Sequence, residues 1–421
     1  MYDLLLKNGT IYDGTGAPGY LADVGVAQGR IVALGNLSDE ASQTIDVSSL
    51  AVAPGFIDLH THSDASFLID KEAQSKVRQG CTLELTGNCG MSFCAPLLGE
   101  ARRIGADRLV AYGAQDLLDW TRFEEYLERL EQAGSTVNLA TQVGHGTVRS
   151  CVMGFDDRAP TPEELDRMRE LVAESLDAGA LGFSTGLYYA PGSYARTDEV
   201  VVLSREVAKR DKLYSTHMRV ESDFSIGLFG SVEESLAISR LSGVRLQISH
   251  LKCVGPATWG NAPELLERID KARAEGLNVA ADQYPYTANS TNLAGAVFPR
   301  WAQVGGRSTT ISRLDEEEFC SRLREEIRAN FDRRGGADMV VVASYPPHTA
   351  FEGMSLSQIA EELKCDPMDA AIRLYRESET PIIAHSLQED DVIVIAGGAW
   401  VAVGSDGSSI KTEGALSAGK P

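Results

Sequence analysis

The 421-residue chain lacks any apolar run approaching membrane-spanning length, since a spanning helix needs about 20 predominantly apolar residues. Its opening, Met1-Tyr2-Asp3-Leu4-Leu5-Leu6-Lys7-Asn8-Gly9, lacks a basic leader, a long apolar core and a small-residue cleavage site, so no secretory signal is expected. Positive charge is scarce: 39 Lys and Arg stand against 60 Asp and Glu, a formal net charge of -21. That balance provides no basic patch to neutralise phosphates and argues against nucleic acid or an anionic membrane as partner. Cysteines are few, odd in number at 7, and scattered, which points away from a disulfide framework and towards the reducing cytoplasm. No internal repeat or low-complexity linker interrupts the chain. What is present, 43% hydrophobic and 24% charged residues, suits a globular protein with one large domain and a smaller one.

Residues 1–52 read as short strands at 3–7, 10–12, 23–27 and 30–34, with Asn8-Gly9, Asp13-Gly14 and Gln28-Gly29 as turns. From Pro54 onward, apolar strands alternate with amphipathic helical stretches at 123–132, 162–178, 232–241 and 262–274, the pattern of a parallel sheet. Strand candidates at 55–59, 83–86, 137–143, 181–184, 213–217, 245–250, 277–284 and 401–405 number eight, which closes a (β/α)8 barrel. The stretch from about 287 to 385 is too long for one connection. It predicts an inserted subdomain between strands seven and eight, helical at 314–331, 355–363 and 367–377, with a strand at 339–344.

Chemistry gathers at the strand ends. Phe56-Ile57-Asp58-Leu59-His60-Thr61-His62 runs a buried-type apolar strand into two histidines at i and i+2, a spacing that puts both on one side and lets them hold one ion. His217 and His250 close the strands 213–217 and 245–250, so four of the seven histidines end predicted strands. Imidazole is a common zinc ligand, and barrel enzymes keep their chemistry at this rim. The eighth strand delivers Asp406 in Ser405-Asp406-Gly407, a carboxylate that can take a proton from water and return it to a leaving group. The second strand ends Gly87-Asn88-Cys89-Gly90, where glycines allow a sharp turn that exposes the thiol. Many metal hydrolases on this barrel bridge two metals through a carboxylated lysine of the fourth strand. Here no lysine occurs between Lys76 and Lys209, and Cys89 is the best substitute anionic ligand. Cys81, Cys94, Cys151, Cys253, Cys320 and Cys365 read as small buried hydrophobes. Lys252, two residues after His250, suits an anionic substrate group. Tyr284 and Tyr286 can donate hydrogen bonds, and the irregular segment 184–192 reads as a loop that shapes the substrate site.

Taken together, PGFIDLHTHSD, GNCG, GFSTGLYYAPG, STHMR, ISHLK, DQYPYTA and GSDG, in this order from Pro54 to Gly407, resemble the D-aminoacylase (N-acyl-D-amino-acid deacylase) family of the amidohydrolase superfamily. The resemblance extends to residues 3–13, which look like the start of that superfamily's β-sandwich domain. It implies an α/β fold: a metal-dependent TIM-type barrel over 53–421, with a β-sandwich part over 1–52. It further implies one tightly bound zinc on Cys89, His217 and His250, and a second, weaker or vacant site on His60, His62 and Asp406. Asp406 would be the acid/base, and Lys252 and Tyr284 would meet the α-carboxylate of a small-molecule N-acyl-D-amino acid. Ser290 lies in the neighbouring segment, whose Asn289-Ser290-Thr291 differs from a Ser-Ser pattern. Against the family pattern the chain ends at Gly419-Lys420-Pro421, ahead of an HPR-type segment and the return strands of the sandwich. The expected reaction is zinc-dependent hydrolysis of the amide. The alternatives are a cyclic-amide hydrolase of the hydantoinase or dihydroorotase type and a catalytically silent binding subunit.

Overall fold

Each of the eight apolar runs from residue 55 onward becomes a strand of one parallel sheet. The computed structural model describes residues 1–411 apart from Asp39, Phe93, Cys94 and Gly113; the thiol of Cys94 and the terminal Gly419-Lys420-Pro421 therefore lie outside the described residues. The chain divides into two compact units between Phe56 and Ile57.

In the first unit, β1 (Tyr2–Ile11), β2 (Tyr20–Ala27), β3 (Arg30–Gly35), β4 (Ala41–Asp46) and β5 (Ala51–Val52) form a sheet of order β3-β2-β1-β4, with β5 also on β1. Asn8-Gly9 is not the turn the sequence predicts. The strand continues through it, and the register with β2 shifts between Leu6 and Gly9. Asn8 takes φ 66° there, and its backbone N–H donates to Asp23 at 2.8 Å, which makes the site a bulge and not a chain reversal. Gln28-Gly29 does turn the chain, with φ of 52° and 69°, as a two-residue hairpin loop requires.

In the barrel sheet, whose first strand begins at the last residue of the first unit, β6 (Phe56–Asp58), β7 (Cys81–Thr86), β8 (Asn138–Gly144), β9 (Gly182–Gly186), β10 (Leu213–His217), β11 (Arg245–Ile248) and β12 (Val279–Gln283) lie side by side in chain order. The insertion contributes β13 (Asn289–Asn292), β14 (Val340–Val342) and β15 (Pro381–Ala384), and β16 (Val401–Val403) then pairs with β12. The barrel closes where Thr61 bridges Gly407, with His62 N–H donating to Gly407 O at 2.8 Å and Asp406 N–H to His60 O at 2.9 Å. Helices follow because their signals are local: Thr161 caps Pro162–Ala178 with Pro162 in its first turn and Glu164 completing a capping box. Their apolar faces, including Val172, Leu176, Val200, Leu203, Val232, Leu236, Leu265 and Ile269, pack against Val143, Phe183, Tyr214, Ile248 and Ala281 of the sheet. β6 departs from its buried reading. Phe56 and Ile57 are exposed, and the chain after β6 forms two one-turn helices, Ser66–Ile69 and Gln74–Val77.

The insertion has its own antiparallel sheet, β13-β15-β14, and its own core around Phe298, Leu323, Ile327, Val342, Ile359, Leu374 and Ile382. Its helices Glu317–Arg333, Leu356–Leu363 and Pro367–Glu377 stand where periodicity places them. The six described cysteines are free, but only Cys89 and Cys253 are buried; Cys81, Cys151 and Cys320 are half-buried and Cys365 is exposed. Cys365 directly follows Lys364, which ends the helix Leu356–Leu363 in a left-handed turn, so it has no core to enter. Among the described residues no helix is long and apolar enough to cross a membrane.

Candidate metal centre

Every predicted ligand reaches the same end of the barrel, and three of them do so from unusual backbone. Cys89, His250 and Asp406 have φ of 54°, 36° and 51°, and each follows a strand end, where a left-handed residue turns its side chain inward across the rim. Non-glycine residues tolerate such φ values at a cost that the surroundings must impose. Around Cys89 the space is tight: a Cβ on Gly186 would collide with the carbonyl of Cys89, and one on Gly87 with the carbonyl of Gln142. Both glycines are required by close approach of backbone to backbone.

Sγ of Cys89 lies 3.3 Å from Nε2 of His60 and 3.4 Å from Nε2 of His250. Oδ1 of Asp406 lies 3.4 Å from Nε2 of His60 and 3.1 Å from Nε2 of His62. Three groups of donor atoms, each within 4.8 Å of one another, share members: His60, Cys89 and His250; His60, His62 and Asp406; and His217, Glu221 and His250. A thiol, imidazoles and a carboxylate converging at this spacing fit a zinc-type ion, which takes N, S and O ligands. His60 joins Cys89 and His250 in one of these groups, and His217 also hydrogen-bonds Cys89. Oδ1 of Asp282 accepts from Nδ1 of His60 at 3.1 Å, which leaves Nε2 of His60 facing Cys89. His217 has its Nε2 3.7 Å from Glu221.

Charge on these groups is set by their neighbours. Burial pushes the Cys89 thiol up, but the charges of His60 and His250 and a hydrogen bond with His217 outweigh it and hold it well below the usual thiol range, which favours the thiolate that binds metal. Burial keeps the His217 imidazole below its ordinary value and therefore neutral, the form that ligates. Asp406 is likewise pushed up by burial, yet the charge of His60 and the bond to His62 hold its carboxyl below the ordinary range.

Beside the ligands, Lys252 Nζ donates to Glu221 at 2.8 Å, to Nδ1 of His250 at 2.7 Å and to the His250 carbonyl at 2.9 Å. Its cation is thus held in place by the centre and sits 5.5 Å from the Tyr284 ring. Tyr284 is buried and its hydroxyl has no hydrogen-bond partner among the described residues. Tyr286, by contrast, is exposed and stacks on Tyr284 at 5.6 Å. Ser290 is exposed on β13; its neighbour Thr291, on the opposite side of the strand, bonds the Tyr189 hydroxyl at 3.0 Å. Tyr188 and Tyr189, from the irregular loop after β9, bring their rings to 5.5 and 4.9 Å from His217.

Asp282 and Glu221 are the participants that sequence reasoning missed. Asp282 is the penultimate residue of β12 and a carboxylate on the predicted rim, so its position is a usable signal that the adjacent tyrosines overshadow. Glu221 sits in an irregular segment after His217, where no periodicity marks it.

The description "Amidohydrolase family" matches residues 43–210. A D-aminoacylase of Alcaligenes xylosoxydans xylosoxydans is 42% identical over 293 residues, 69% of this chain and 59% of that protein. An N-acyl-D-glutamate deacylase of the same organism is 35% identical over 407 residues, covering 96% of this chain and 74% of the relative. The crystal structure of N-acyl-D-glutamate deacylase from Bordetella bronchiseptica, complexed with zinc and a phosphonate mimic of the tetrahedral intermediate, matches with a TM-score of 0.77 at 34% identity, covering 96% of this chain and 76% of that one. The chain thus spans between three fifths and three quarters of the length of these relatives.

Proposed function

We propose, for a chain that belongs to the N-acyl-D-amino-acid deacylase family of amidohydrolases, that it hydrolyses the amide of N-acyl-D-amino acids to a carboxylate and the free D-amino acid. The observation that carries this reading is the convergence of Cys89, four histidines and Asp406 on one barrel rim beside Lys252 and the unpartnered Tyr284 hydroxyl. Of the metal, we propose one tightly bound zinc held by Cys89, His217 and His250, and a weaker second ion held by His60, His62 and Asp406.

Zinc, when bound, supplies a Lewis acid that polarises the amide carbonyl and lowers the pKa of water. The chain's own groups do the rest. Asp406 accepts a proton from the attacking water as its oxygen bonds to the carbonyl carbon. It then gives that proton to the amide nitrogen as the C–N bond breaks, because an unprotonated amine anion is a very poor leaving group. The Tyr284 hydroxyl donates to the substrate α-carboxylate and Lys252 supplies the opposing charge, with Ser290 the exposed hydroxyl nearby. Fixing carboxylate, amide and side chain at three points is what reads chirality. Six free cysteines support a cytoplasmic setting, and the acidic balance supports a small molecule as partner. We also propose that the sheet within residues 1–52 is part of a β-sandwich. Incubating the zinc-loaded chain with N-acetyl-D-glutamate should yield equimolar acetate and D-glutamate by mass spectrometry, and none after chelation; intact substrate in the presence of zinc would refute the reading.

A further inference from the structure

One buried lysine outside the ligand set ties together the backbone that carries it. Lys76 stands on the short helix Gln74–Val77 and is buried although charged. Its Nζ donates to Oδ2 of Asp58 at 2.9 Å and to Oγ of Ser405 at 2.8 Å, and lies 3.7 Å from Oε2 of Glu84. A buried ammonium persists only when paired and hydrogen-bonded, and here each partner stands one step from the metal centre. Asp58 precedes His60 by two residues, and its other oxygen accepts from Ser405 N–H at 2.9 Å and His60 N–H at 3.4 Å. Ser405 precedes Asp406, and its Oγ accepts from Gly407 N–H at 3.1 Å. Glu84, on β7, accepts from Ser63 Oγ at 2.7 Å, and Ser63 accepts from Ser409 N–H at 2.8 Å.

The strand ends of β6, β7 and β16 are therefore laced at the seam where the barrel closes, with Lys76 as the shared donor. Asp406 needs such restraint, because its φ of 51° is a conformation that survives only where neighbours over-determine it. We propose that Lys76 is a positioning residue for Asp406: by holding Asp58 and Ser405 at once, it fixes the Asp406 carboxylate against His60 and His62. An apolar residue could fill the same space, but it would leave Asp58 and Glu84 as uncompensated like charges and Ser405 Oγ with the Gly407 N–H alone.

The inference rests on the reading of Asp406 as acid/base, and its test separates the two. Zinc-loaded full-length wild type, K76M, K76R and S405A are compared by kinetics on N-acetyl-D-glutamate, by zinc retained against a chelator, and by thermal melting. A misplacement of about 1 Å costs on the order of 100-fold in rate, so K76M is expected to lose about that in kcat with KM unchanged, and K76R to recover part. S405A removes the hydrogen bonds that Ser405 Oγ accepts from Lys76 Nζ and from Gly407 N–H but keeps the Lys76–Asp58 pair, and thermal melting checks its fold. This variant is expected to lose about tenfold in kcat at constant KM, and to surrender one zinc to the chelator sooner than wild type. Should K76M not fold, S405A alone decides. Folded S405A with wild-type kcat and zinc retention, or a rise in KM with unaltered zinc, would show a purely structural lysine and overturn the proposal. If wild type itself fails to turn over D substrates, the substrate reading falls, while the zinc-retention comparison still decides the role of Lys76.

Discussion

Sγ of Cys89 lies 3.4 Å from Nε2 of His250, although 161 residues separate them in the chain. The fold brings them together because β7 and β11 deliver their C-terminal ends to one rim, and each residue then turns inward through a left-handed backbone. A thiolate and a neutral imidazole at that distance are two ligands that one zinc-type ion can take.

From that pair comes the first expectation. Replacing Cys89 by Ala removes the soft anionic ligand while leaving His60 and His250 in place. Zinc affinity should fall by more than the roughly 10–100-fold that loss of an outer partner costs. Equilibrium dialysis against a metal indicator checks this, and a variant that keeps its zinc would exclude Cys89 as ligand.

Asp406 makes a different prediction. Asn at this position keeps the size and one oxygen but cannot take a proton. D406N should retain the zinc held by Cys89 and its neighbours and lose about 10²–10⁴-fold in kcat. Turnover near that of wild type would remove the acid/base role.

Stability should depend on pH through a group far from the centre. Hydrogen bonds from Arg158, then from the Thr161 backbone, lower the Glu164 carboxyl from 4.5 to about 2. Because the folded value lies below the unfolded one, this contribution is complete above about pH 4.5 and is lost as pH falls towards 2. The melting temperature of E164Q should thus be lower than wild type at pH 7 and converge with it in acid. Thr161→Ala, which removes the other half of the capping box, should cost about 1 kcal/mol. Both follow from thermal melts across pH.

Much of the barrel was legible because its signals are local. His217 and His250 could be placed from the apolar runs they terminate, and Pro162–Ala178 from Thr161, Pro162 and Glu164. What escaped depends on tertiary contact. Asn8 forms a bulge and not a turn because Asp23, distant in sequence, accepts its N–H. β13 is a four-residue polar segment and β15 a four-residue apolar one, each too short to mark a strand alone, and their pairing partners arrive from far along the chain. Asp282 meets His60 from 222 residues away, and Lys252, which reads as a free rim cation, has its donors engaged by Glu221 and His250.

The central claim is D-specific amide hydrolysis at this metal centre. It is tested most directly by measuring amine release from paired N-acetyl-D- and N-acetyl-L-glutamate, methionine and leucine on zinc-loaded chain of known metal content. Release confined to the D member of each pair is the predicted result. Equal release from both enantiomers, or none with zinc bound, would contradict the account.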